Sequence, residues 1–266
     1  MTSESITTEY SSKPVILLVD DNEEILDFLQ DDLEEKYTIL KASNGKEALE
    51  ILNSDLVNLV ISDIMMPVMD GYELCRTIKS DFEYSHVLVI LLTAKNTIQA
   101  KIEGLELGAD AYVDKPFSPE YLQAQIANLL SNRNKIIDYF ISSPLVHIKS
   151  MAINKGDESF LEKLNDSIYK NIENTELDVK QLAETLNMSR PTLYRKIKAI
   201  SNLTPNELIH IARLKKGAEL LAKGNYKIYE ISEMVGYSSQ TNFGRNFHKQ
   251  FGMSPSVYVQ KLNDKN

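Results

Sequence analysis

Four apolar runs in the first half of this chain each end in polar or charged residues, and this pattern limits the fold more than any other feature. Val15-Ile16-Leu17-Leu18-Val19 runs into Asp20-Asp21, and Leu59-Val60-Ile61-Ser62 into Asp63. Residues 87–92 run into Thr93, and Ala111-Tyr112-Val113 into Asp114-Lys115-Pro116. Runs of strand length without alternation suit strands covered on both faces, the situation in a parallel sheet. A short strand is expected over 37–40. Between the strands, Ile25, Leu26, Leu29 and Leu33 recur at helical spacing, as do Ala48, Leu49 and Leu52 within 46–52; a helix over 119–130 closes the series. The expected fold of this half is α/β: a doubly wound, five-stranded parallel sheet with five alternating helices.

In such sheets ligands sit beyond the carboxyl ends of the strands. Asp20, Asp21, Asp63, Thr93 and Lys115 all fall at strand ends, which puts three carboxylates, a hydroxyl and an ammonium on one rim. Clustered carboxylates repel unless a cation sits among them, and an all-oxygen acidic site suits Mg²⁺. A lysine and a hydroxyl beside them suit an incoming phosphoryl group, whose oxygens need neutralising. A single strand-end Asp is ordinarily a cap for the next helix; the full set is harder to explain that way.

The same residues carry a resemblance. Leu17-Leu18-Val19-Asp20-Asp21-Asn22, Asp63-Ile64-Met65-Met66-Pro67-Val68-Met69-Asp70-Gly71, Leu92-Thr93-Ala94 and Gly108-Ala109-Asp110-Ala111-Tyr112-Val113-Asp114-Lys115-Pro116-Phe117 resemble the receiver domain of two-component response regulators, over residues 13–131. The resemblance implies that Asp63 accepts phosphate from a histidine kinase. It also implies that Asp20, Asp21, Asp63 and the backbone carbonyl of Met65 hold Mg²⁺, that Thr93 and Lys115 contact the phosphoryl oxygens, and that Tyr112 is the switch aromatic.

Residues 132–157 show no clean period and read as a linker with some apolar contacts, broken at Ser142-Ser143-Pro144. His147, within it, reads as a structural or solvent histidine. Beyond it every amphipathic segment is helical and one unit is repeated. A short helix begins after Asp178, then a turn at Asn187-Met188-Ser189, then a helix over 190–200; the order recurs at 228–235, Gly236-Tyr237 and a helix capped by Ser238. Leu182, Leu186 and Met188 align with Ile231, Val235 and Tyr237. After a one-residue slip, Leu193, Arg195, Ile197, Thr204 and Pro205 align with Phe243, Arg245, Phe247, Ser254 and Pro255. A short apolar helix, a tight turn and a longer helix with a polar face make a helix-turn-helix, repeated here.

Residues 158–262 resemble the AraC-type DNA-binding domain, on Leu182 to Lys198, Ile231 to Phe247 and Gly252-Met253-Ser254-Pro255-Ser256-Val257-Tyr258. The family's base contacts fall on Pro191, Tyr194 and Arg195, then on Gln240, Thr241, Gly244 and Arg245; Arg190 and Lys198 join them on the DNA-facing side. Two departures, Ile197 for an aromatic and Asn202 for glycine, concern packing. The pairing of receiver and AraC-type output resembles the cytoplasmic end of hybrid two-component regulators and also free-standing response regulators.

Charge supports two partners. Residues 1–131 hold 9 basic against 24 acidic side chains, whereas 158–266 hold 16 against 12. No apolar run nears the roughly 20 residues of a membrane span, and residues 1–14 carry no secretion signal. The lone cysteine, Cys75, reads as a small core residue in a reducing compartment. The resulting expectation is a cytoplasmic, non-enzymatic transcription regulator of activator type, with DNA and a histidine kinase as partners and a homodimer once phosphorylated. Two alternatives stand beside it: a phospho-switched regulator whose helical half binds protein, and a hydrolase of phosphate esters.

Overall fold

The computed structural model describes residues 13–94 and 106–264, which form two compact units. In the first, five parallel strands, β1 (Val15–Val19), β2 (Thr38–Ala42), β3 (Leu59–Asp63), β4 (Leu88–Thr93) and β5 (Ala111–Asp114), are ordered β2-β1-β3-β4-β5. All residues of β3 and β4 are buried, as their unbroken apolar runs require. Registers such as Leu17 opposite Leu40 and Val60 align the strand ends on one rim. Strand order reverses beside β1, so the crevice at the switch point opens between the ends of β1 and β3.

Helices α1 (Glu23–Leu33), α2 (Gly45–Ser54) and α3 (Gly71–Ser80) start at local caps. The Asn22 side chain accepts from the Glu24 N–H, Asn44 accepts from Lys46 and Glu47, and Asp70 accepts from Glu73. The remaining helix of the five expected would lie between β4 and β5, where residues 95–105 are outside the described set. Cys75 is fully buried, and burial pushes its thiol up to about 11, which suits a core residue and not a nucleophile.

Helix α4 (Pro119–Ser142) is longer than the expected 119–130. It gives Leu122 and Ile126 to the first unit, and Ile137 and Phe140 to the core of the second. Residues 132–157, expected to be a linker, are ordered as the end of α4, a short 3₁₀ turn (Ile148–Met151) and the start of α5 (Lys155–Lys170), which begins earlier than anticipated. Ile148 and Met151 are buried in the same core. His147 is exposed, and its Nδ1 accepts from the Lys149 N–H at the start of the 3₁₀ turn.

The rest of the second unit is helical: α6 (Val179–Thr185), α7 (Arg190–Ser201), α8 (Pro205–Lys223), α9 (Ile228–Met234), α10 (Gln240–Phe251) and α11 (Pro255–Asn263). It has two cores. Leu182, Leu193, Ile197 and Ile200 fill one; Ile231, Phe243, Phe247 and Phe251 fill the other. Helix α8 serves both, with Leu208 and Ile211 in the first and Leu214 and Ala218 in the second. Phe243, Phe247, Phe251 and Tyr258 meet mainly edge to face, the arrangement their ring quadrupoles favour.

Candidate functional site

The rim of the sheet brings together four of the residues singled out there. Asp20 and Asp63 are buried at the ends of β1 and β3, and Lys115 reaches between them. Its Nζ lies 3.0 Å from Asp20 Oδ2 and 2.5 Å from Asp63 Oδ1. Burial alone would lower the Lys115 pKa; the hydrogen bonds it donates to Asp63 and Asp20 outweigh it, so the ammonium is held above its ordinary value. The other oxygen of Asp63, Oδ2, accepts the Met65 N–H at 2.7 Å, which fixes the carboxylate's orientation. Buried Thr93 ends β4, and its carbonyl accepts the Lys115 N–H at 2.6 Å, tying the lysine's backbone to the rim.

Asp21, next to Asp20, is exposed. Among the described residues no three acidic or imidazole side chains stand close enough together to form a finished metal cage. What the rim offers is a fit by donor chemistry: two buried carboxylates already converging on one positive charge, and carboxylate oxygens are the donors a hard divalent cation takes. Half-buried Tyr112 shares a 2.5 Å hydrogen bond with the hydroxyl of Tyr72, a partner that no sequence pattern signalled. Gly71 is required where it stands: a Cβ there would lie 2.2 Å from the Asp63 carbonyl oxygen, so the turn into α3 can pass behind the acid only as glycine.

In the helical unit the two repeats make the same local contacts. Asn187 (φ 55°) and Gly236 (φ 74°) take the left-handed turn position. The next N–H reaches back in each, Met188 to the Ala183 carbonyl and Tyr237 to the Ser232 carbonyl, both at 2.9 Å. After the one-residue slip, Ser189 and Ser239 cap α7 and α10, each accepting at 3.2 Å from the N–H three residues on; the second cap is thus Ser239 and not Ser238. Asn202 and Gly252 end the two helices in the left-handed conformation, and Thr204-Pro205 and Ser254-Pro255 begin the next pair. The asparagine in place of glycine is tolerated because Asn is the next best residue for that conformation.

Of the residues expected to face DNA, Arg190, Pro191, Tyr194, Gln240, Thr241 and Arg245 are exposed, and Arg195, Lys198 and Gly244 are half-buried. Lys198 is engaged at home, its Nζ donating to the Asn202 carbonyl at 2.7 Å. Lys196, on the same helix, is almost fully buried. Its Nζ stands 3.7 Å from Asp157 Oδ1, 4.5 Å from the centre of the Phe82 ring and in a hydrogen bond with the Phe82 carbonyl. Burial lowers its pKa, and Asp157 opposes the shift.

Residues 16–127 match the response regulator receiver domain family, and residues 182–261 match a helix-turn-helix domain family. A histidine kinase P4 from Formosa agariphila is 39% identical over 261 residues, 98% of this chain and 19% of that protein. The chain therefore spans about a fifth of that relative's length. A probable transcriptional regulator ycf27 from Galdieria sulphuraria is 31% identical over 94% of this chain and 98% of its own length. A CheY-like receiver domain protein of solved structure from Methanospirillum hungatei JF-1 is 32% identical, with TM-score 0.44, over 47% of this chain and 98% of that one.

Proposed function

This chain belongs to the two-component response regulators, joining a receiver domain to an AraC-type helix-turn-helix domain, and from that premise we propose that phosphorylation of Asp63 by a histidine kinase controls its binding to DNA as a transcription regulator of activator type. The observation that carries the reading is the Lys115 ammonium bridging Asp20 and Asp63 at the switch point of the sheet.

The chemistry follows from those contacts. Asp63 Oδ1 attacks the phosphorus of a phosphohistidine; an O–P bond forms, the N–P bond breaks and the imidazole leaves with the electron pair. Fixing Oδ2 on the Met65 N–H leaves Oδ1 as the nucleophile. Lys115 moves its charge from Oδ1 to a phosphoryl oxygen, and the Thr93 hydroxyl takes another. Mg²⁺, held by Asp20, Asp21, Asp63 and the Met65 carbonyl, would neutralise the charge that accumulates as the phosphoryl group arrives. The new dianion draws Thr93, and the Tyr112–Tyr72 hydrogen bond is the contact whose exchange passes the change outward. The phosphorylated form dimerises and places its reading helices on repeated half-sites, each domain covering two major grooves about one turn apart.

Among the described residues no helix is long and apolar enough to cross a membrane; the cytoplasmic site of action proposed here rests on the kinase and DNA partners instead. The test is the molar mass and duplex affinity of the chain with Mg²⁺, with and without beryllofluoride as phosphoryl mimic. Dimerisation and tighter DNA binding, both lost in Asp63→Asn, are expected. An Asp63→Asn protein that responds as the wild type does would overturn the proposal.

A further inference from the structure

A cleft of about 490 Å³ opens in the helical unit between α8 and the second helix-turn-helix, against roughly 30 Å³ for one water molecule. His210 and Arg213 form its α8 wall; Ser238, Asn242 and Asn246 form the wall from the turn and α10; Glu176, which precedes α6, stands at the rim and is exposed. The segment leading into the first repeat and the turn and reading helix of the second therefore border it, and the helix that links their cores supplies Arg213 and His210.

The guanidinium of Arg213 is anchored at one end and unused at the other. One Nη donates to the Asn174 carbonyl at 2.6 Å. A Cβ at Gly236 would lie 3.1 Å from its Nε and Cζ, so the group rests on the bare backbone of the turn. The Nε–H is shielded from solvent and meets no acceptor among the described residues. Such a donor is costly unless a ligand or water supplies the oxygen. Glu176 at the rim, and Asp178 beside the adjoining depression that shares His210 and Arg213, are the carboxylates nearby. Burial first, then Arg213 and Lys249, hold the His210 imidazole below its ordinary pKa, while its Nδ1 stays within 3.2 Å of the Tyr237 hydroxyl. Fixed donors and a permanent cation with a free N–H suit a tetrahedral oxyanion.

Position says which one. Gln240, Thr241 and Arg245 lie on the reading face of α10, while Asn242 and Asn246, one helical turn apart, lie on its flank. A helix in a major groove reads bases with one face and has a phosphate backbone along each flank. We propose that this cleft holds a backbone phosphate of the bound duplex, in the stretch of DNA between the two reading helices, with Arg213 as the principal ligand and His210, Asn242 and Asn246 around it. The proposal rests on the DNA-binding reading of the helical domain and adds a contact that neither reading helix's outward face provides.

The experiment uses the full chain and a mixed-sequence 30-bp duplex, with affinity measured by fluorescence anisotropy between 50 and 200 mM salt. Each phosphate contact contributes about 0.9 to the slope of log K against log salt. Arg213→Gln should flatten that slope by about one contact, so a fourfold rise in salt weakens the variant roughly 3.5-fold less than the wild type. Because Arg213 also supports the turn, Asn246→Asp at the more open wall serves as the second variant; it should weaken binding severalfold at 50 mM and converge on the wild type at high salt. A slope unchanged in a folded Arg213→Gln protein, together with unchanged affinity in Asn246→Asp, overturns the phosphate site alone. A wild-type chain with no salt-dependent affinity for duplex DNA overturns the DNA reading and the site with it.

Discussion

Gly244 stands in the middle of α10, where glycine is a poor helix former, and nothing in the fold asks for it. Its φ lies outside the left-handed region and a Cβ added there meets no atom within 4 Å. Replacing it with alanine should therefore stabilise the helix by about 0.8–1.0 kcal/mol, the difference in intrinsic propensity. For a unit of this size that is a rise of roughly 3–5 °C in Tm. Binding should move the other way. Gly244 shares its face with Gln240, Thr241 and Arg245, so on the proposed docking the new methyl would stand where that face meets the groove. Crowding a closely packed contact by one methyl costs about 1–2 kcal/mol, or roughly 5–30-fold in Kd. The two readouts are thermal unfolding by circular dichroism and anisotropy on a duplex recovered by selection with the wild-type chain. Opposite signs, more stable and less tightly bound, are the signature. A Gly244→Ala protein that is more stable and binds equally well would show that DNA does not approach this face. One that is less stable would show that α10 needs the glycine for its own fold.

Two further substitutions test the packing. Gly217→Ala, on the neighbouring helix, is the contrasting case: its Cβ would lie 2.7 Å from the Phe243 ring, so it should destabilise by about 1–3 kcal/mol, and a Tm equal to the wild type would refute the close approach of α8 to α10. Lys215 is buried and its Nζ donates to the Ser143 and Val146 carbonyls, with no carboxylate in contact among the described residues; burial lowers its pKa to about 8. The unfolded chain keeps this proton up to about 10.5, so between pH 8 and 10.5 unfolding takes up a proton and the lysine's contribution to stability rises with pH. Urea titrations should show the wild type gaining on Lys215→Met from pH 7 to 10, by on the order of 2 kcal/mol, and a constant gap would refute the lowered pKa.

Parts of the molecule were legible from residue order because they depend on local rules. The apolar runs ending at Asp20, Asp63 and Thr93 mark strands that are buried along their length, and parallel alignment then brings their ends to one rim. The repeat was legible because each piece of the turn has its own chemistry: Asn187 or Gly236 for the left-handed position, then Ser189 or Ser239 for the cap. The extension of α4 was not. Ile136, Ile137, Tyr139, Phe140 and Ile141 are apolar on every side of the helix, so no period stands out, and only the packed structure separates buried Ile137 and Phe140 from exposed Ile136 and Tyr139. Tyr72 was equally silent, since its link to Tyr112 joins residues 40 positions apart.

Lys196 shows how residue type can mislead where position does not. Leu193, Lys196, Ile197 and Ile200 follow the i, i+3, i+4, i+7 order of a buried stripe, so the helical period alone assigns Lys196 to the core. The expectation that charge belongs in water overrides that assignment unless a partner is known, and the partner, Asp157, is 39 positions earlier at the end of the expected linker. A charge so deeply buried needs both a counter-ion and hydrogen bonds, and Lys196 has the carboxylate of Asp157, the Phe82 carbonyl and the flanking aromatic rings. At the equivalent place in the second repeat stands Asn246, half-exposed at the mouth of the cleft with Arg213 and His210. The same stripe position is thus closed by an internal ion pair in one repeat and left open beside the free Nε–H of Arg213 in the other. Structural duplication has not produced two equivalent surfaces, and the open one is where an external anion has room to bind.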